Sequence, residues 1–355
     1  MIRVAINGFG RIGRLFLRQA MRRPEFSVVA INDLGDIESL AYLFKYDTVY
    51  GRIANEIKGD TVTNELVIGP LRQGLGEASE TRIKVLQVKD PAQLPWKDMQ
   101  IDIVVESTGL FESFEKAKAH VTAGAKRVVL TAPAKDDDGE GKTVLMGVNE
   151  ESLTGISVSS NASCTTNSAS PVIQILSENP GIQKAFLGTV HAMTGTQSLT
   201  DSPVKGGKDF RHGRAAPHNI VPSTTGAAIA VTRAVPSLKD KFDGLAYRVP
   251  VVTGSMSDIT FLASRKTSVE EINSILTAAA SEPRWQGILK VTNDQLVSSD
   301  IIGEPYGAIV DLSLTKVVDG DLVKVISWYD NEYGYVAMLT RHVAKVAGLL
   351  SGSSA

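Results

Sequence analysis

A glycine pattern near the start of the chain constrains the fold more than any other feature. The three glycines are Gly8, Gly10 and Gly13. They follow an apolar stretch over residues 2–7 and open a helix predicted from Arg11 to Arg23. A second predicted strand then ends just before Asp33, which is the acidic residue that this motif requires. The pattern therefore predicts a βαβ unit with a dinucleotide-binding turn.

Each residue of this motif has a physical role in such a turn. Gly8 permits the tight turn, Gly10 lets a pyrophosphate approach the backbone, and Gly13 lets the helix pack on the strand. The helix N-terminus attracts the pyrophosphate, and Asp33 binds the ribose hydroxyls. Because a carboxylate repels a 2′-phosphate, the sequence favours NAD over NADP. A glycine turn in another kind of α/β protein is the alternative.

The pattern of elements predicts two domains in these 355 residues. Apolar strands recur at 101–106 and 127–131 with a helix at 112–123 between them, so the first half is expected to be a doubly wound sheet. The second half reads as a mostly antiparallel sheet covered by helices. Its predicted elements are strands at 185–191, 245–252, 257–262, 308–314 and 322–328, and helices at 167–177, 269–280 and 332–349. The predicted class is α/β, with a Rossmann-type domain and an α+β domain.

Two further features of the second half attract attention. The segment 194–219 is polar, basic and glycine-bearing, and is expected to be a long ordered loop of functional importance. Ser268 and Glu271 form a capping-box pattern before the helix at 269–280.

The composition excludes several classes of protein. The net charge is −2, so no global field draws the chain to nucleic acid or membranes. No apolar run approaches the ~20 residues that span a bilayer, and the chain enters a strand pattern at once, leaving no expected room for a signal peptide. A single cysteine allows neither an internal disulfide nor a cysteine cluster for zinc, so no metal is expected and a reducing, cytoplasmic setting is the default.

That cysteine, Cys164, lies in Ser163-Cys164-Thr165-Thr166-Asn167. A thiol near its reference pKa of ~8.5 is mostly protonated at neutral pH and needs an imidazole, a helix N-terminus or both to ionise. Cys164 immediately precedes a predicted helix, and its polar neighbours argue against a structural thiol in an apolar core. A sulfur nucleophile beside a hydride acceptor is the chemistry of aldehyde oxidation through a thioester.

Five histidines are candidates for the base that activates this thiol: His120, His191, His212, His218 and His342. His191 ends an apolar predicted strand, where catalytic side chains often emerge, and is the preferred base; a core histidine is the alternative. His120 lies on a helix of the first domain, and His342 is expected at the surface of the last helix. His212 and His218 lie in the polar loop and suit contact with anions or solvent.

Four segments, in order along the chain, carry a resemblance to a known family. They are Ile6-Asn7-Gly8-Phe9-Gly10-Arg11-Ile12-Gly13-Arg14, Ser163–Asn167, Pro222-Ser223-Thr224-Thr225-Gly226-Ala227-Ala228 and Ser327-Trp328-Tyr329-Asp330-Asn331-Glu332. Together they resemble phosphorylating glyceraldehyde-3-phosphate dehydrogenases over essentially the whole chain. The resemblance implies a homotetramer, an NAD-binding domain over 1–163 completed by a C-terminal helix within 331–355, and a catalytic domain over 164–330. It also implies that the loop after His191 lines neighbouring cofactor sites across the tetramer.

The resemblance implies a role for each matching residue. Cys164 is the nucleophile and His191 its base. The positions that match NAD contacts are Gly8, Gly10, Arg11, Ile12, Gly13, Asp33, Lys89, Thr131 and Asn331, of which Asn331 holds the nicotinamide carboxamide. The positions that match the two phosphate sites are Thr194 and Arg248 for the substrate, and Ser163, Thr165, Thr225 and Gly226 for inorganic phosphate, with Arg211 at a nearby anion position.

The reaction that the resemblance implies converts glyceraldehyde 3-phosphate to 1,3-bisphosphoglycerate, in glycolysis or gluconeogenesis. Cys164 attacks the aldehyde, His191 takes the hydroxyl proton as hydride passes to NAD, and phosphate then attacks the thioester. Erythrose-4-phosphate dehydrogenase is the main alternative, but the intact 191–194 and 223–226 segments favour the triose. A semialdehyde dehydrogenase shares only the Cys–His pair. A non-catalytic nucleotide- or RNA-binding protein would not need that pair, and no basic-aromatic stripe supports it.

The chain departs from the family pattern at several positions. Ser168 replaces a frequent second cysteine, so a disulfide with Cys164 is excluded. Met193 stands where threonine is common, which predicts weaker substrate binding, and Lys89 replaces an arginine and loses planar stacking near the adenine. The loop 203–208 is slightly longer than usual, and Ser202 leaves room for use of NADP.

Overall fold

The computed structural model of the chain describes residues 1–70, 80–136, 139–204 and 209–352. The chain divides into two units. The first comprises Met1–Lys142, Glu151–Asn161 and the segment from Leu339 to the C-terminus, and the second comprises Thr143–Glu150 and Ala162–Met338. The predicted extra length of loop 203–208 falls largely outside the described residues.

These boundaries differ from the expected 1–163 with 331–355 and 164–330 at three places: residues 143–150, 162–163 and 331–338 all belong to the second unit. Thr143–Glu150 belongs to the second unit, where the Gly147 carbonyl accepts a hydrogen bond of 2.5 Å from Nε of Arg284. The start of the last helix also belongs there, since the Tyr335 hydroxyl donates to the Ala162 carbonyl at 3.0 Å. Contacts between segments that are far apart in the chain cannot be predicted from a local sequence pattern.

The first unit is built on a predominantly parallel sheet. Its strands are β1 Ile2–Asn7, β2 Phe26–Asn32, β3 Ile57–Asp60, β4 Glu65–Ile68, β5 Thr81–Leu86, β6 Ile103–Glu106, β7 Arg127–Leu130, β8 Gly141–Thr143 and β9 Val158–Ser160, and its first helices are α1 Arg11–Ala20, α2 Ile37–Lys45 and α3 Phe114–Thr122. The strand order among the described residues is β3-β4-β5-β2-β1-β6-β7-β9-β8. β1 pairs in parallel with both β2 and β6, so the carboxyl ends of these three strands lie together, which is where doubly wound sheets bind ligands.

The helix α1 shows how the sequence produces this unit. It begins directly after Gly10 and buries one apolar face that includes Leu15 and Phe16. The Phe16 ring stacks on Phe26 of β2 at 6.0 Å between ring centroids. The helix ends at Ala20 rather than at the predicted Arg23. The residue before a proline avoids the helical conformation, so the helix ends ahead of Pro24.

The second unit contains a seven-stranded sheet among the described residues. Its elements are α4 Cys164–Glu178, β10 Ile182–Ala192, β11 Val221–Thr224, α5 Ala227–Ala234, β12 Phe242–Val249, β13 Ser255–Ala263, α6 Val269–Ala280, β14 Leu289–Thr292, β15 Ala308–Val318, β16 Leu322–Tyr329 and α7 Tyr333–Ser351, the last shared with the first unit. The strand order is β11-β12-β10-β13-β16-β15-β14. β10–β12 and β14–β15 are parallel, and the remaining pairs are antiparallel. The predicted fold class is therefore confirmed.

Sequence patterns did not reveal all of these elements. The short strands β3, β4, β5 and β11 and the helices α2 and α5 were not singled out, because short runs carry little periodicity. The capping box at α6 is only half formed. Ser268 accepts from the backbone N–H of Glu271 at 3.2 Å, but the Glu271 carboxylate bonds Arg265 and Thr267. No helix in the described ranges combines the length and apolar character needed to cross a membrane.

Candidate active site

The candidate nucleophile lies at the N-terminus of α4. Ser163 is the N-cap, and its Oγ accepts a hydrogen bond from the Thr166 N–H at 3.1 Å. Cys164 is therefore the first residue of the helix, where the partial positive charge of the N-terminus stabilises a thiolate. The helix was predicted to start just after Cys164, and the structure begins it at Cys164 itself.

His191 lies beside this thiol. Its Nε2 is 3.3 Å from Sγ of Cys164, and its side chain is buried, near the end of β10. The register of β10 with β12 places His191 directly opposite Arg248. Three separate segments of the chain thus bring a thiol, an imidazole and a guanidinium together.

The second ring nitrogen of His191 has two competing neighbours. Nδ1 is 2.7 Å from the Ala192 carbonyl oxygen, to which it can donate, and 2.7 Å from Nη1 of Arg248, from which it can only accept. Nδ1 cannot donate to Ala192 and accept from Arg248 at the same time, so the position of Arg248 influences which ring nitrogen carries the proton. Nε of Arg248 is buried and has no hydrogen-bond partner among the described residues, which suits an anion.

Burial sets the protonation of the pair. Desolvation raises the pKa of Cys164, partly offset by the positive charge of Arg248. Desolvation, followed by the charge of Arg248, lowers the pKa of His191 to about 3. Both shifts favour an uncharged thiol beside an uncharged imidazole, and a neutral imidazole is able to accept the thiol proton.

Tyr329 is a residue of this site to which sequence reasoning assigned no role. Its buried hydroxyl bridges Oγ1 of Thr165 at 2.9 Å and Oγ1 of Thr189 at 2.8 Å. Its ring meets the His191 imidazole edge-on, 6.0 Å between centroids. Burial raises the pKa of Tyr329, so the hydroxyl stays protonated and fixes its neighbours. The only sequence signal was its place in the segment 327–332.

The other candidate anion ligands differ in their availability. Thr225 Oγ1 accepts from the Ala227 N–H at 3.1 Å, just before the start of α5. A methyl group added at Gly226, the N-cap of α5, would meet no atom within 4 Å. Thr194 lies two residues beyond β10, where its hydroxyl pairs with Thr196 at 3.0 Å. Arg211 is exposed and holds Asp209 through two hydrogen bonds of 2.7 and 2.8 Å, so an incoming anion would compete with that carboxylate.

The first unit contains the predicted nucleotide turn. Gly8 has φ of +94°, and a Cβ there would lie 2.6 Å from the Thr108 nitrogen. A Cβ at Gly13 would overlap the Gly8 carbonyl oxygen, whereas one at Gly10 would meet nothing within 4 Å. The backbone at Gly10 is thus open to a ligand, and the other two positions require glycine.

Asp33 lies against this turn. Its Oδ2 accepts from the Phe9 N–H at 2.7 Å and its Oδ1 from the Gly35 N–H at 2.9 Å. Each carboxylate oxygen keeps a further lone pair for a ribose hydroxyl. An open backbone at a helix N-terminus next to a fixed carboxylate fits a dinucleotide without a 2′-phosphate.

The remaining predicted cofactor residues occupy varied environments. Arg11 pairs with Asp47 at 3.4 Å, Ile12 is half-buried, and Lys89 is exposed. Thr131 follows β7, and its N–H donates to the Glu106 carbonyl at 3.0 Å.

Asn331, in the second unit, is held by its side-chain oxygen. Oδ1 accepts from Ser255 Oγ at 2.9 Å, from the Gly254 N–H at 3.1 Å and from Thr253 Oγ1 at 3.2 Å. This fixes the amide and leaves its NH₂ group to donate to a ligand.

One prediction about a histidine was wrong. His342, expected at the surface of the last helix, is fully buried. Its Nε2 is 2.8 Å from Ser159 Oγ and its Nδ1 is 3.2 Å from Asn161 Oδ1. The helix α7 carries few charges, so its pattern did not show which face is buried. In the described part of the chain no cluster of His, Cys, Asp or Glu side chains could hold a metal ion.

Comparisons with known proteins identify the family of this chain. The family model described as "Glyceraldehyde 3-phosphate dehydrogenase, NAD binding domain" matches residues 2–114, and "Glyceraldehyde 3-phosphate dehydrogenase, C-terminal domain" matches residues 163–331. A glyceraldehyde-3-phosphate dehydrogenase of Clostridium pasteurianum is 45% identical over 354 residues, covering 98% of this chain and 100% of that protein. Those of Mycolicibacterium smegmatis and Mycobacterium avium are 45% and 46% identical, each covering 97% of this chain and 98% of the relative. The chain therefore belongs to the glyceraldehyde-3-phosphate dehydrogenase family and is an NAD-dependent oxidoreductase.

Proposed function

We propose that this chain oxidises glyceraldehyde 3-phosphate with NAD and inorganic phosphate to 1,3-bisphosphoglycerate, with Cys164 as the nucleophile. The observation that carries the proposal is the 3.3 Å contact between Cys164 Sγ and His191 Nε2 at the start of α4. A nucleophile and a base at hydrogen-bond distance, with the base held by a third group, are the requirements of covalent catalysis.

The first step forms a thiohemiacetal. The thiol proton of Cys164 passes to Nε2 of His191, and the sulfur attacks the aldehyde carbon. The carbonyl electron pair moves to the oxygen, which takes this proton back from Nε2 of His191, so that the imidazole is neutral again before the second step. When Arg248 turns from His191 towards the substrate phosphate, Nδ1 is left to donate to Ala192, and Nε2 keeps its lone pair for this transfer.

The second step converts the thiohemiacetal to a thioester. NAD, when bound, supplies the hydride acceptor. His191 removes the hydroxyl proton through Nε2, and the backbone N–H of Cys164 stabilises charge on the oxygen. Asn331 holds the nicotinamide by its free NH₂ group, and Asp33 holds the adenosine ribose. The acidic Asp33 favours NAD over NADP.

The third step releases the product. A phosphate oxygen attacks the thioester carbon, the C–S bond breaks, and Cys164 leaves as a thiolate. Thr194 and Arg248 bind the phosphate of the substrate. The sites for the attacking phosphate are Ser163, Thr165, Thr225 and Gly226, with Arg211 nearby. The Thr165 hydroxyl is engaged with Tyr329, so this residue serves the site through its backbone N–H.

We propose that the enzyme is a cytoplasmic homotetramer. Three large apolar side chains lie exposed on or beside the segment that follows β10: Leu199 at 77%, Phe210 at 80% and Ile220 at 69%. Neighbouring copies of the chain would cover them. Light scattering after size-exclusion chromatography tests the assembly, and a monomer at micromolar concentration would contradict it.

The first experiment is an assay of NADH formation with glyceraldehyde 3-phosphate, with and without inorganic phosphate, and with erythrose 4-phosphate in parallel. Phosphate-dependent turnover of the triose is expected. Faster turnover of erythrose 4-phosphate would assign the chain to the related dehydrogenase. Absence of turnover with both substrates would overturn the catalytic proposal.

A further inference from the structure

A buried hydrogen-bonded network lies beneath the nucleotide turn of the first unit. We call it the Glu106 network, and its members are Asn7, Trp96, Glu106, Thr108 and His120. Glu106 is 3% exposed, and His120 and Trp96 are fully buried. These residues come from β1, β6 and α3, from the segment that precedes β6 and from the turn that follows it. The reaction described above uses none of their side chains.

The indole of Trp96 fixes the protonation of His120. Its Nε1 lies 3.0 Å from Nδ1 of His120, and an indole N–H can only donate. Nδ1 of His120 therefore accepts, and the proton of the neutral ring is on Nε2. This Nε2 lies 2.9 Å from Oε2 of Glu106, so His120 donates to the carboxylate.

The Glu106 carboxylate is saturated with donors. Oε2 also accepts from Nδ2 of Asn7 at 2.5 Å. Oε1 accepts from the Thr108 N–H at 2.8 Å and from the Thr108 hydroxyl. Each of these groups is oriented to donate, which means that the site is built for an acceptor with no hydrogen of its own.

The network holds the wall of the glycine turn. A Cβ at Gly8 would lie 2.6 Å from the backbone nitrogen of Thr108 and 2.7 Å from the carbonyl carbon of Ser107. The Ser107 hydroxyl donates to the Gly8 carbonyl at 2.6 Å. The pinned turn after β6 thus sets the path of the backbone on which the dinucleotide pyrophosphate rests.

The same network reaches the ribose side of the turn. Oδ1 of Asn7 accepts from Asn32 at 2.7 Å, and Asn32 in turn binds the backbone of Val88 through its amide oxygen and nitrogen, both at 2.9 Å. Asn32 directly precedes Asp33. One carboxylate therefore ties together the ends of β1, β2 and β6.

We propose that Glu106 is a positioning residue for NAD, kept as an obligate acceptor by a tautomer of His120 that Trp96 fixes. Glu106 does not touch the cofactor in this proposal. It acts through Asn7 and through the turn at Ser107 and Thr108, so it controls NAD affinity rather than the chemistry at Cys164.

Glu106→Gln tests this proposal directly. The substitution conserves size but replaces one acceptor oxygen with a donor. The groups that this donor would face are Nδ2 of Asn7, Nε2 of His120 and the backbone N–H of Thr108, each of which donates to the carboxylate in the parent chain. Loss of one or two buried hydrogen bonds predicts an increase in the Kd of NAD of about tenfold, measured by calorimetry. kcat at saturating NAD should stay within about twofold. An unchanged Kd would overturn the proposal.

Trp96→Phe distinguishes the proposed role of Glu106 from a merely structural one. Removal of the indole donor lets the His120 proton move to Nδ1, so that Nε2 can accept from the amide introduced at position 106. The double variant W96F/E106Q is therefore expected to recover NAD affinity to within about threefold of the parent chain. A double variant that binds NAD as weakly as E106Q, or more weakly, would refute the tautomer argument.

Thr108 offers an independent route if the buried variants do not fold. Thr108→Val removes the hydroxyl that donates to Glu106, whereas Thr108→Ser retains it as a matched control. The valine variant should weaken NAD binding about threefold to tenfold, and the serine variant should not. Equal affinities would contradict the proposal.

In every variant the alkylation rate of Cys164 without NAD should be unchanged, which separates this inference from the proposed chemistry.

Discussion

At the scale of single residues, the proposed chemistry depends on one thiol and one imidazole. Cys164 has its pKa raised by burial, and His191 has its pKa lowered by burial and by Arg248. Both shifts disfavour the thiolate–imidazolium pair, so the resting site holds a thiol beside a neutral imidazole, and we expect the proton to move only once substrate is bound. Two substitutions test these roles separately.

Cys164→Ser should abolish NADH production and leave NAD binding intact. A serine hydroxyl is far less acidic and less nucleophilic than a thiol, and the substitution leaves the fold unchanged. Turnover by absorbance and NAD affinity by calorimetry provide the two measurements. Sustained turnover would show that the nucleophile lies elsewhere.

His191→Asn should slow alkylation of Cys164 by iodoacetamide at neutral pH by about 10²-fold or more, because the thiol loses its proton acceptor. The same substitution at the exposed His218 is the control and should have no effect. If alkylation proceeds at the parent rate, the helix N-terminus alone activates the thiol.

At the scale of elements, strand register and helix capping bring the site together. The parallel pairing of β10 with β12 sets His191 opposite Arg248, and the cap of α4 sets the position of Cys164. A shift of the register by one residue would point one of these side chains to the other face of the sheet. The secondary structure therefore sets the catalytic distances.

Ser163→Ala should cost about 1 kcal/mol of unfolding free energy, the usual value for an N-cap, and should also lower activity because it frees the first turn of α4. Ser268→Ala removes the equivalent cap of α6 and is a matched control. It should lose similar stability while turnover stays unchanged. Denaturant titrations and steady-state kinetics measure both effects. An equal loss of activity in the two variants would argue against a specific role for the α4 cap.

At the scale of the whole molecule, buried histidines make stability depend on pH. Burial lowers the pKa of His342 to about 3, as it does for His191. Since the unfolded chain protonates near pH 6.5, the unfolded state binds more protons than the native state between about pH 3 and 6.5. Stability therefore falls as the pH drops through this window.

His342→Asn should flatten this dependence. Each of these two buried histidines lowers the free energy of unfolding by about 2 kcal/mol between pH 7 and pH 5, because it takes up a proton when the chain unfolds. The variant removes one of the two histidines. Urea unfolding at the two pH values measures the difference, with His218→Asn as the control. A pH dependence equal to that of the parent chain would show that His342 does not titrate on unfolding.

The sequence by itself determined the local features of this protein. The glycine turn with Asp33 predicted the βαβ unit, and a lone cysteine among hydroxyls before a helix predicted the nucleophile. These features could be read because turns, caps and apolar periodicity depend on residues a few positions apart. His191 was also predicted as the base, since it ends a recognisable strand.

Only the tertiary structure decided which distant residues meet. The contact of Tyr329 with Thr165, the approach of Arg248 to His191, the burial of His342 and the Glu106 network all join segments that are far apart in the chain. Strand order and register produce these contacts, and no local pattern encodes them. The structure also shows how protonation is controlled, because burial lowers the pKa of His191 and of His342, and the Trp96 donor fixes the tautomer of His120.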